Sequence, residues 1–210
     1  MCAIVGSFSR DKLIELVKLN SYRGSHSYSF STFNIITNEL KIYRKGFGEL
    51  EDHKIVMGSI EYGIAHIQAP TTEEKDLYSV HPAQENDTYL WHNGIIKANY
   101  VTSLQERFGK DTKWDTKLLL RAVNSSRDEI CNMDGSFSCL WYACSGAYLF
   151  RNDISPMFFD SDLNISSTKF ANSSPTASGA ILKMDFLNRS LYNTGFTFKT
   201  VENPYYFGAE

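Results

Sequence analysis

Cys2, in the opening stretch MCAIVG, is the first side chain whose position could concentrate chemistry. Removal of Met1 by an aminopeptidase, which a small second residue permits, leaves one residue carrying both a thiol and a free α-amino group. A thiol becomes a strong nucleophile for a carbonyl carbon once a base takes its proton. An α-amine, with a reference pKa of about 7.7 to 8.0, is better poised for that task at neutral pH than a lysine. A retained Met1 would turn the amine into an amide and remove the base. Further polar residues stand in short distinctive stretches: Arg23 in SYRGSHS, Gln68 and Thr71 in AHIQAPT, His81 in HP, Asn93 and Gly94 in WHNGII, and Asp115 in WDTKLLL. Three of these stretches also have an ordinary reading. Asn-Gly is a strong two-residue hairpin signal, Asp115 could cap the apolar helix behind it, and Arg23 suits the end of a helix.

The elements that must position these residues follow from periodicity. Residues 2 to 8 predict a buried strand, and DKLIELVKLN places Leu13, Leu16, Val17 and Asn20 on one helical face. Strands are expected near 28–37 and 40–45, then at SIEYGIAHI, which runs into a polar loop containing Pro70 and Thr71 and ending at His81-Pro82. DTYLWHNGII reads as strand, Asn-Gly turn and strand. NYVTSLQERFG is a short helix closed by Gly109, and DTKLLLRAV is another helix. From about 136 the chain becomes a succession of short strands: SFSCLWYA, AYLFRN, NISST, GAILKMDF and SLYNTGFTF. Neither a repeat nor a linker interrupts it, so residues 1–210 are expected to form one α+β domain with two sheets and helices packed against them.

Bulk properties narrow the function classes. The chain has 21 basic and 24 acidic residues and a formal charge of −3, which gives nucleic acid or an anionic membrane no cationic surface to bind. There is no apolar run near 18 residues and no basic, hydrophobic leader, so a cytoplasmic protein is expected. Cys131, Cys139 and Cys144 form no CxxC pair or Cys/His cluster, and read as small hydrophobic residues rather than metal ligands. No cofactor is expected.

Taken in order, MCAIVG, YRGSHS, AHIQAPT, HP, WHNGII, WDTKLLL and MDGSFSCLWY resemble the glutaminase domain of class II glutamine amidotransferases, which are N-terminal-nucleophile hydrolases. The resemblance runs from residue 2 to about residue 170, and is closest in pattern to the domains of glucosamine-6-phosphate synthase and asparagine synthetase. It implies an αββα sandwich of two antiparallel sheets flanked by helices. It also implies hydrolysis of the L-glutamine side-chain amide to glutamate and ammonia. In that reading Cys2 is the nucleophile and its own amine the base. The Asn93 amide and Gly94 N–H form the oxyanion hole, Asp115 binds the substrate α-ammonium, and Gln68, Thr71 and His81 line the glutamine pocket. Arg23 positions the nucleophile. His66 is structural, and no role follows for His26, His53 or His92. No synthetase domain is recognised in the sequence, so the ammonia acceptor is expected on a separate polypeptide.

Three positions depart from the family pattern. Ala3 replaces a glycine and His26 an aspartate. Gln68 replaces an arginine that grips the substrate carboxylate, and Gln offers neither charge nor a bidentate fork. Losing a charge-assisted contact of roughly 1.5 to 3 kcal/mol weakens binding by about one to two orders of magnitude. The alternatives are a weakened binding or regulatory module of the same fold, or an amidohydrolase acting on another small amide.

Overall fold

A computed structural model describes residues 2–69, 77–143 and 146–200. The described strands form two antiparallel sheets. The first contains β1 (Ala3–Ser7), β2 (Ser27–Asn34), β3 (Leu40–Phe47) and β4 (Glu61–Gln68). The second contains β5 (Ala83–Glu85), β6 (Thr88–Ile96), β7 (Gly135–Ala143) and β8 (Gly146–Arg151). Short strands β9 (Phe158–Phe159), β10 (Ile165–Ser166) and β11 (Ser174–Pro175) return to the first, giving the order β11-β9-β10-β1-β4-β2-β3. Strands β12 (Ala180–Asp185) and β13 (Ser190–Thr197) complete the second as β13-β12-β8-β7-β6-β5. The helices are α1 (Arg10–Asn20), α2 (Ala98–Phe108) and α3 (Asp115–Ser125). None is long and apolar enough to cross a membrane.

Strand alternation builds the layers. Ile4, Ile64, Trp91, Leu140, Leu149 and Leu182 form one cluster between the sheets. Their neighbours point the other way. Ala3, Val5, Ala65 and Ile67 meet Leu13, Leu16 and Val17 of α1, whereas Leu90, Cys139, Trp141, Phe150 and Ile181 meet Leu104 of α2 and Leu118, Leu119 and Ala122 of α3. A one-residue slip would exchange the two faces of a strand, so burial on both sides fixes the register. The result is the expected αββα sandwich. Ser9 caps α1, its hydroxyl accepting from Lys12 N at 3.3 Å.

Several expectations need correction. There is no hairpin turn at Asn93-Gly94: β6 runs straight through, pairing Asn93 with Ser138 and Gly94 with Phe137 of β7. Gly94 still needs to be glycine, because its φ is +156° and a Cβ there would lie 1.9 Å from the Ser136 carbonyl oxygen. Pairing along the whole of β7 overrides the local turn preference. Asp115 is not a cap either, since it is the first residue of α3 and Trp114 precedes it without a side-chain cap bond. Strands β5, β9 and β11 have only two or three residues, too few to show a period.

Candidate active site

Antiparallel pairing of Ala3 with Ile67 brings the start of β1 beside the end of β4, so Cys2 and Gln68 reach the same end of the first sheet. Cys2 is buried, with Sγ 3.9 Å from the Ala69 carbonyl oxygen. Gly24 closes the site from the α1 side. A Cβ on it would stand 2.4 Å from Ala69 N, so only glycine lets the loop after α1 pack so closely against the end of β4. Burial pushes the Cys2 thiol up to about 11. The Ala69 contact, the terminal ammonium and Arg23 oppose that rise, and the Asp115 carboxylate adds to it. The thiol is therefore protonated at neutral pH and needs a base before it can attack.

On one flank of Cys2, hydroxyls hold the structure. Arg23 donates from Nε to Thr168 Oγ1 at 2.9 Å and from Nη2 to the Ser167 carbonyl at 3.0 Å. Asn93 reaches across from the second sheet, its Nδ2 3.4 Å from Ser167 Oγ. Asn20, at the end of α1, donates to Ser166 Oγ at 2.9 Å and accepts from Thr168 Oγ1 at 2.8 Å.

Imidazoles hold the opposite flank. The His81 and His66 rings stack with centroids 4.0 Å apart, and Trp114 meets His81 edge-on at 5.3 Å. His81 Nδ1 contacts Gln68 Oε1 and its Nε2 contacts Thr116 Oγ1, both at 3.1 Å. Thr116 Oγ1 also lies 3.3 Å from His92 Nδ1. Asp115 accepts from Thr116 N at 2.7 Å, and its second oxygen is 3.9 Å from His92 Nδ1. Burial lowers the pKa of all three histidines, His66 to about 3, so they are neutral at pH 7. At His92 the Asp115 charge opposes this fall without reversing it. Lys45 braces the segment by donating to the Val80 and Pro82 carbonyls at 2.7 and 2.8 Å.

Most of the residues expected from sequence therefore converge. Arg23 and Asn93 both reach Ser167, which bonds to Ile4 two residues after Cys2, while Gln68, His81 and Asp115 share the histidine network. Thr71 lies outside the described residues. Gln68 is buried with its amide turned inward, Oε1 on His81 and Nε2 3.4 Å from the Ser79 carbonyl. His26 contacts Ser27 at 3.2 Å, and the exposed His53 pairs with Glu51. Sequence reasoning gave no role to Ser167, Thr168, Thr116 or His92. Only His92 carried a local signal, as a buried polar residue beside the Asn-Gly pair. A cavity of about 1100 Å³ adjoins the imidazole flank, lined by Ser79, Pro82, Trp114, Lys45 and Lys117 among others. Among the described residues no group of three His, Cys, Asp or Glu side chains could hold a metal ion.

The fold aligns with two solved structures, each over 95% of this chain and half of the other. One is glutamine phosphoribosylpyrophosphate amidotransferase from B. subtilis complexed with ADP and GMP, at 16% identity and a TM-score of 0.69. The other is described as the allosteric regulatory enzyme of purine biosynthesis, at 15% and 0.65. In sequence, glutamine–fructose-6-phosphate aminotransferases of Vibrio vulnificus (strain YJ016) and Aliivibrio fischeri (strain ES114) are 30% identical over 135 residues. Over that region the chain is homologous to these aminotransferases, and its fold matches that of the amidotransferase structure. Those 135 residues are 59% of this chain and 22% of each curated relative, so the likeness is to one region of longer amidotransferases. No family model matches the chain.

Proposed function

We propose that this domain hydrolyses the side-chain amide of L-glutamine through Cys2. The observation that carries the reading is the link from Asn93 through Ser167 to Ile4, two residues after Cys2, between the two sheets of an amidotransferase fold. With Met1 removed, the Cys2 amine takes the thiol proton, directly or through water. Sulfur then attacks the amide carbon. The Asn93 amide and Gly94 N–H stabilise the oxyanion, the amine protonates departing ammonia, and water hydrolyses the γ-glutamyl thioester to glutamate. Asp115, exposed enough to meet a ligand and backed by Thr116, takes the α-ammonium. The ammonia passes to an acceptor reaction, a role supported by the transferase names of the relatives.

The test is intact mass and ammonia release with and without 6-diazo-5-oxo-norleucine, comparing the wild type with Cys2→Ala. Loss of Met1, one adduct on Cys2, and a drop of at least about 1000-fold in Cys2→Ala are expected. A processed protein that forms no adduct and releases no ammonia overturns the reading. Gln68 favours one second reading, an amidohydrolase for a small amide without a free carboxylate, because its own amide is turned inward. Comparing glutamine with amides that lack the α-carboxylate separates the two.

A further inference from the structure

Ser167 joins more of the site than any residue the sequence singled out. It is fully buried, directly after β10. Its N–H donates to the Ile4 carbonyl at 3.1 Å, and Ile4 N–H donates back to Ser167 Oγ at 3.0 Å. The hydroxyl also lies 3.4 Å from the Ile4 carbonyl, as a donor, and accepts from Asn93 Nδ2 at 3.4 Å. A serine hydroxyl has one donor and two acceptor positions, and here all three are used. The Ser167 carbonyl meanwhile accepts from Arg23 at 3.0 Å. Ile4 stands two residues after Cys2 on the same strand. One side chain therefore sets the distance between the strand that carries the thiol and the amide that crosses from the other sheet. Its neighbours point elsewhere, Ser166 to Asn20 and Thr168 to Asn20 and Arg23, so Ser167 alone of the three hydroxyls contacts Asn93.

We propose that Ser167 is a positioning residue for the Cys2 reaction, its hydroxyl holding the Asn93 amide in register with the start of β1. The proposal rests on the glutaminase reading. An oxyanion donor helps only if it is aimed before the charge develops, and removing such a donor lowers kcat by about 100- to 1000-fold. Loosening it should cost part of that. Ser167→Ala should lower kcat for glutamine by about tenfold or more with KM within about threefold, since Asp115 and the histidine flank are untouched. If Ser167 acts through Asn93, adding Ser167→Ala to Asn93→Ala should lower kcat little further.

The experiment measures kcat and KM for glutamine in the wild type, both single variants and the double variant. Crystal structures of the wild type and Ser167→Ala accompany it. A fall in kcat that disappears in the Asn93→Ala background, with the Asn93 amide displaced in the crystal, supports the proposal. A Ser167→Ala protein with wild-type kcat, fully additive effects, or an unmoved amide overturns it. A wild type that releases no ammonia overturns the functional reading instead, and the position of the Asn93 amide still decides whether Ser167 holds it.

Discussion

The two flanks of Cys2 are built from different chemistry. On the Ser167 side, hydroxyls, an amide and a guanidinium hold the parts, and the contacts come from residues distant in sequence: Ser167 lies 163 positions from Ile4 and 74 from Asn93. On the Asp115 side, the buried His81 and His92 rings share Thr116 and His66 stacks on His81. Few groups of the first flank change charge near neutral pH, whereas each ring of the second can take a proton. Two ways of ordering a polar site are thus set side by side, one indifferent to mild acid and one exposed to it.

Acid should break the comparison most strongly. His66, His81 and His92 are held neutral by burial, with folded pKa values below the usual 6.5. The unfolded chain therefore binds more protons as pH falls below about 6.5, and stability is lost from there down towards the folded values, about 3 for His66. Each ring contributes a slope of up to about 1.4 kcal/mol per pH unit. Glu85, Glu129 and Asp111 are shifted down from ordinary carboxylate values, so their contribution falls away only below about pH 4.5. Urea midpoints between pH 6.5 and 4.5 should drop steeply, and a flat profile there would mean that the rings are already charged in the fold.

Next in size is Gly94→Ala. Positive φ and a Cβ 1.9 Å from the Ser136 oxygen leave no room for a methyl group without breaking the pairing of β6 with β7. A loss of more than about 4 kcal/mol is expected from denaturant unfolding. Asn93→Ala should leave the fold in place and raise the barrier by about 3 to 4 kcal/mol, read as kcat for ammonia release.

That contrast also marks what could be read from sequence. The buried face of α1 and the longer strands of both sheets were legible because each carries a period, and Cys2, Arg23, Asn93 and Asp115 stood out because each sits in a distinctive short stretch. The Asn-Gly pair misled about the turn while marking a glycine that the strand requires. Asn-Gly tolerates positive φ in a hairpin and equally in a strand that another backbone approaches closely, and only the pairing with β7 distinguishes these cases. Ser167 and Thr116 were invisible for a different reason. A serine or threonine hydroxyl has no local signature when its partners lie tens of residues away.

The smallest predicted effect sharpens the comparison further. Thr116→Val keeps the shape of a fully buried side chain but removes the oxygen that His81 Nε2 and His92 Nδ1 share at 3.1 and 3.3 Å. Two ring nitrogens then lose a partner in a site closed to water, which costs about 1 to 3 kcal/mol of stability. Asp115 also loses its hydroxyl neighbour, though it keeps the Thr116 N–H. Its carboxylate stays in place with less support, so KM for glutamine should rise severalfold while kcat changes little. Ser167→Ala should do the reverse, lowering kcat and sparing KM. Steady-state kinetics on the two variants and their combination would show whether the flanks are separable. If each change moved both parameters together, the division of the site into a nucleophile side and a substrate side would fail, because the two networks would be acting as one.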